Sequence, residues 1–125
     1  MKIANTLSIL LGTVLGIISA QWIFSPESAA QSFSMVYMEG DARNHQVRDF
    51  TAFFLGTSIM SILSFVTKQY QWIFSVGLIF LIAGIFNVLT AINYETEIAI
   101  SSLISELIFT SMAFTAAYIY KTKNL

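Results

Sequence analysis

The chain has 125 residues, a net charge of −1, and side chains that are 56% hydrophobic and only 10% charged, against about 25% charged in an ordinary soluble domain. So short a chain has too little interior to hide that much apolar surface from water, so the composition points to lipid as its solvent. No cysteine is present, which excludes disulfides, thiolate metal sites and cysteine nucleophiles, and the scattered basic residues leave no nucleic-acid footprint.

Four apolar segments follow one another, roughly Ile3 to Phe24, Phe50 to Val66, Trp72 to Ile92 and Ile98 to Tyr120. A helix needs about 20 apolar residues to cross a bilayer core of about 30 Å. The first, third and fourth segments meet that length. The second meets it by extending back through the polar stretch from Asp41. The expected fold is therefore all-α: an integral membrane four-helix bundle in one domain, residues 1–125, with helices over about 3–24, 41–67, 71–92 and 97–121. Lys2 followed by an apolar run, with Ala20 and Ala30 beyond it, also resembles a signal peptide. The length of the run and its single lysine favour a retained helix.

After the first helix, Ser25-Pro26-Glu27 reads as a helix start, with Ser as N-cap, Pro at the first position and Glu in the first turn. A short interfacial helix to about Ser34 is expected in this first external loop, followed by Phe33, Met35, Val36, Tyr37 and Met38 at the membrane surface. Trp22, Tyr70, Trp72, Tyr94, Tyr118 and Tyr120 fall near segment ends, as an aromatic belt requires. Gln-Trp-Ile-Phe-Ser occurs at 21–25 and again at 71–75 with no wider similarity, and reads as coincidence.

Charge sets the expected orientation. Lys2, Lys68, Lys121 and Lys123 share one side of a four-span topology, whereas Glu27, Glu39, Asp41, Asp49, Glu95 and Glu97 share the other with Arg43 and Arg48. The positive-inside rule makes the lysine side cytoplasmic, with both termini there. A bacterial inner membrane is the expected location.

Small residues recur on helix faces. Gly12 and Gly16 form G-x-x-x-G, and Gly77, Gly84 and Ala91 recur every seven residues. Such stripes let membrane helices approach closely, either in a dimer or within the monomer's own bundle. Glu106 is the one charge well inside an apolar segment, about 12 Å deep at 1.5 Å per residue. Ionisable groups at that depth face the bundle interior or a cavity. Ser102, Glu106 and Thr110 share a helix face, Asn87 sits at a similar level, and Arg48 stands at the mouth of the second helix. Together they form either a polar pocket for a small ligand, or a register-fixing contact: an Arg48–Glu106 ion pair or a Glu106–Asn87 hydrogen bond. His45 is the one histidine and reads as a solvated interfacial residue. No catalytic set, metal site or cofactor motif is legible.

Three features then carry a resemblance: Phe24-Ser25-Pro26-Glu27, Arg48-x-x-x-Ala52-x-x-x-Gly56 at the start of the second helix, and Ser105-Glu106-Leu107 in the last. On these the chain resembles the DoxX-like superfamily of small four-helix membrane proteins, and within it a bacterial family without assigned function. The resemblance implies a four-helix bundle in which Gly56 joins the close-packing glycines. Some relatives are linked to sulfur or quinone redox chemistry.

Three functions are expected in order. The first is a non-enzymatic accessory or structural subunit that associates laterally with a membrane protein or with itself. The second is a binder or carrier of a small amphiphile, lipid or quinone-like, in an outward-opening polar pocket. The third is an oxidoreductase auxiliary, on the resemblance alone.

Overall fold

The computed structural model describes residues 1–123. Five helices follow in order: α1 (Lys2–Phe24), α2 (Pro26–Ser32), α3 (Gly40–Thr67), α4 (Tyr70–Asn93) and α5 (Ile100–Lys123). The described residues contain no strand. All but α2 are long and apolar enough to cross a membrane. At 1.5 Å per residue the shortest of the four spans about 35 Å, more than a hydrocarbon core needs.

Helix α1 packs on α3, and α4 packs on α5. The two pairs meet more lightly, through α1 with α5 and α3 with α4. Small residues make the tight seams. Ser58 Oγ donates to the Gly12 carbonyl at 2.6 Å. A Cβ on Gly12 would lie 2.6 Å from Ile62 Cδ1, and one on Gly77 would lie 2.6 Å from the Phe114 ring. The glycine stripes thus serve packing inside the monomer. Thr57, Ser58, Ser61 and Ser64 continue the buried face of α3, and their hydroxyls stay satisfied by bonding to backbone carbonyls, which is what lets polar groups line a membrane-helix seam. Gly56 departs from the expected pattern. Nothing lies within 4 Å of where its Cβ would be, because the contact face of α3 runs through its neighbours at 57 and 58 instead.

The ends of the bundle differ. At the lysine end, Lys68 takes a left-handed conformation, φ +60°, in the two-residue turn between α3 and α4. Ser64 Oγ bridges that turn, donating to the Gln69 carbonyl at 2.6 Å and accepting from Ile73 N at 2.8 Å. Asn5 Oδ1 accepts from Lys68 Nζ at 2.8 Å and from the buried Tyr120 hydroxyl at 2.9 Å. One amide therefore ties α1, α5 and the α3–α4 turn together.

At the acidic end, Ser25 occupies the N-cap position of α2 with Pro26 after it, although its hydroxyl makes no cap bond. Ala29 and Ala30 are fully buried, so α2 folds back against the bundle. Of the residues expected at the membrane surface, Phe33, Met35 and Tyr37 instead pack against the core, whereas Val36 is exposed. Trp22 is a further correction. It is fully buried and stacks on Phe50 with centroids 4.7 Å apart, since α2 and the start of α3 cover it. Tyr120 is likewise buried, whereas Trp72, Tyr94 and Tyr118 stay exposed.

Candidate functional site

The start of α3 stands further out than its apolar residues require, and Gln46 explains how it is held. Its side chain is 5% exposed. Its Nε2 donates to the Val36 carbonyl and its Oε1 accepts from Met38 N, both at 3.0 Å. One side chain therefore supplies the donor and acceptor that an extended segment would otherwise lack. Arg43 Nε donates to the Met38 carbonyl at 2.7 Å, and its guanidinium lies 4.2 Å over the Tyr37 ring. This fixes the connection after α2 and holds Phe33 inside the bundle.

Behind this clamp an aromatic chain crosses the molecule. Phe33 meets Phe50 and Phe54 edge-on at 5.8 and 5.5 Å. Phe54 meets Phe53 at 5.0 Å, Phe53 meets Phe80 of α4 at 5.3 Å, and Phe80 meets Phe109 of α5 at 5.1 Å. Edge-to-face pairs of this kind add about 0.5–1.5 kcal/mol each beyond area burial. The local cause is spacing: Phe50, Phe53 and Phe54 lie three and four residues apart, so they share one helix face.

These six rings line a partly open cavity of about 470 Å³ between α3, α4 and α5. Ser32 of α2, Asp49 of α3, and Ser101, Ser102, Ser105 and Glu106 of α5 supply its polar wall. No lysine or arginine lines it. The volume and the mixture of aromatic surface with a few convergent polar groups suit a small organic ligand.

Of the five residues singled out from sequence, Ser102 and Glu106 reach this cavity, and Arg48, Asn87 and Thr110 do not line it. The expected Arg48–Glu106 ion pair is absent. Arg48 Nε bonds Asp49 Oδ1 at 3.1 Å, its Nη1 bonds Asn44 Oδ1 at 3.3 Å, and its Nη2 meets His45 Nδ1. Neighbours on the same exposed turn satisfy the guanidinium while it stays hydrated. Crossing the bundle would have required desolvating it. Asn87 neighbours the Glu106 carboxylate, but both ends of its amide bond Ala99: Nδ2 to the carbonyl at 3.0 Å and Oδ1 from the N–H at 3.1 Å. That clamp shapes the α4–α5 connection. Helix α5 begins just beyond it at Ile100, later than the apolar pattern suggests. Thr110 is buried and donates to the Glu106 carbonyl at 2.6 Å.

Glu106 therefore has the neutral Asn87 amide beside it and no basic side chain in the cavity. Its Oε2 is buried with no hydrogen-bond partner and faces the notch at Gly84, 3.5 Å from where a Cβ would be. Sequence reasoning found this carboxylate but not the rings around it. The i, i+3, i+4 spacing of Phe50, Phe53 and Phe54 was the available signal.

Fold and site together define a multi-pass helical membrane protein with an aromatic cavity around one unpaired carboxylate. Comparison of the chain with protein-family models, curated proteins and solved structures gives no match.

Proposed function

We propose that the protein binds a small amphiphile in the cavity between α3, α4 and α5. The carrying observation is the ring network of six phenylalanines around a space of about 470 Å³ whose polar groups sit mainly on α5, with Asp49 and Ser32. Polar groups at one wall and aromatic carbon elsewhere match a molecule with a polar head and an apolar body. This reading moves ahead of a purely structural subunit because lateral association needs no internal cavity, and outward-facing apolar side chains meet lipid in any case.

In this reading the lysine end is cytoplasmic, by the asymmetry of Lys2, Lys68, Lys121 and Lys123. The cavity then lies in the outer half of a bacterial inner membrane, with α2 at the outer interface. The DoxX-like resemblance is compatible with this arrangement and supplies no ligand.

Native mass spectrometry after release from nanodiscs tests the proposal. The wild type should retain one small molecule per chain, and Ala83→Phe, which places a ring in the cavity wall, should lose it. A stoichiometric protein partner with no retained small molecule would overturn the proposal in favour of an accessory subunit.

A further inference from the structure

We propose that the occupant of this cavity is an organic cation: an amine or quaternary centre carrying an apolar body. The inference rests on the amphiphile reading above and names its chemical class.

Charge balance carries the argument. Two carboxylates line the cavity and no basic side chain does. Asp49 is already matched, because Arg48 Nε lies 3.1 Å from its Oδ1. Glu106 is not matched. Among the described residues the Arg48–Asp49 contact is the one ion pair; the Asn87 amide beside Glu106 is neutral, and Glu106 Oε2 makes no hydrogen bond. A partly buried carboxylate without a counter-charge is costly, and its buried, unpartnered Oε2 calls for an explanation such as a missing ligand. A cation in the cavity supplies the missing charge. An anion would add repulsion, and a neutral body would leave Glu106 as it is.

The rings point the same way. Aromatic faces carry negative potential and attract a cation within about 6 Å of the ring centroid. Phe53, Phe80 and Phe109 line the same cavity as Glu106 from three different helices. Such a surround suits a diffuse organic charge with apolar substituents. A small hydrated ion would lose water there and find one unmatched carboxylate and a few serine hydroxyls in return. The chemistry is shared by free lipophilic amines and by the ammonium group of a lipid headgroup.

Equilibrium binding in a non-ionic detergent separates the possibilities, with three probes of similar shape: tetraphenylphosphonium, uncharged triphenylphosphine oxide and anionic tetraphenylborate. The wild type should prefer the cation to the neutral probe by at least about tenfold, the scale of one buried charge contact, and should reject the anion. Glu106→Gln keeps the size and should erase the preference while neutral binding persists. Equal binding of cation and neutral probe, lost in Ala83→Phe but unmoved by Glu106→Gln, would overturn the cation and keep the amphiphile. Binding of no probe, in wild type or variants, would overturn both. Phosphatidylethanolamine and phosphatidylglycerol then separate the sources. Displacement of the phosphonium by the first alone assigns a lipid amine, displacement by neither assigns a free cation, and displacement by phosphatidylglycerol contradicts the proposal.

Discussion

At the lysine end of the bundle, Asn5, Lys68 and Tyr120 tie three elements through one amide oxygen, and Ser64 caps the turn beside them. At the acidic end, an exposed turn carries the Arg48–Asp49 pair, and Glu106 is left with an orphan oxygen beside a cavity. Both ends hold buried or half-buried polar groups. At the first, Asn5, Lys68, Tyr120 and the Ser64 turn are joined by hydrogen bonds, the way such groups serve as structure, and the unpartnered Ser8 Oγ there lines no cavity. At the second, Glu106 Oε2 makes no hydrogen bond and its side chain lines a cavity. A satisfied network reads as architecture, and an unsatisfied one beside space reads as a site.

The contrast can be broken at its strongest point first. Gly77 lies on the seam that closes α4 on α5, where a Cβ would meet Phe114 at 2.6 Å. Gly77→Leu should cost about 3 kcal/mol by overpacking, seen as a large fall in thermal stability in detergent. Removing the lysine-end tie comes next. Asn5→Ala leaves the buried Tyr120 hydroxyl without its acceptor, for about 2 kcal/mol. A denaturant series on Asn5→Ala and Tyr120→Phe should show the double mutant losing less than the sum. Gln46→Leu removes the clamp on Val36 and Met38 and should cost about 1 kcal/mol, with faster amide exchange at Met38 as the local readout. Arg48→Gln should be nearly silent, within about 0.5 kcal/mol, because the side chain sits on the surface. Combined with Glu106→Gln, its effect should simply add, since the two residues share no contact.

The sequence carried the helices well. Long apolar runs and lipid-length spacing leave few alternatives, and Pro26 marks a boundary by lacking an N–H. Gly12, Gly16, Gly77 and Gly84 were legible as close-approach positions for the same reason, since only small residues permit it. Which helix they approach was not, because a stripe says nothing of its partner. The site was half legible. Glu106 is conspicuous against its apolar surroundings, but its relation to Arg48 was misread. Pairing the two most costly charges ignored the cheaper local partners Asn44, His45 and Asp49 on the same turn. Asn87 lies beside Glu106 as its position in the sequence suggests, but its two bonds to Ala99 are not legible there, since that backbone lies on a loop whose path no periodicity shows. The cavity itself depends on Phe33, just beyond α2, meeting rings of α3, α4 and α5 edge to face, which is a property of the assembled bundle.

The absence of native cysteine makes single-thiol labelling the most direct test of the contrast between the two ends. Ser102→Cys places a thiol in the cavity wall, and Ser8→Cys places one in the fully buried face of α1 towards the lysine end. With a membrane-permeant maleimide, Ser102→Cys should label readily and be protected by tetraphenylphosphonium, while Ser8→Cys should resist labelling throughout. Equal labelling of the two, or labelling at Ser102→Cys that no amphiphile slows, would contradict a ligand cavity at the acidic end.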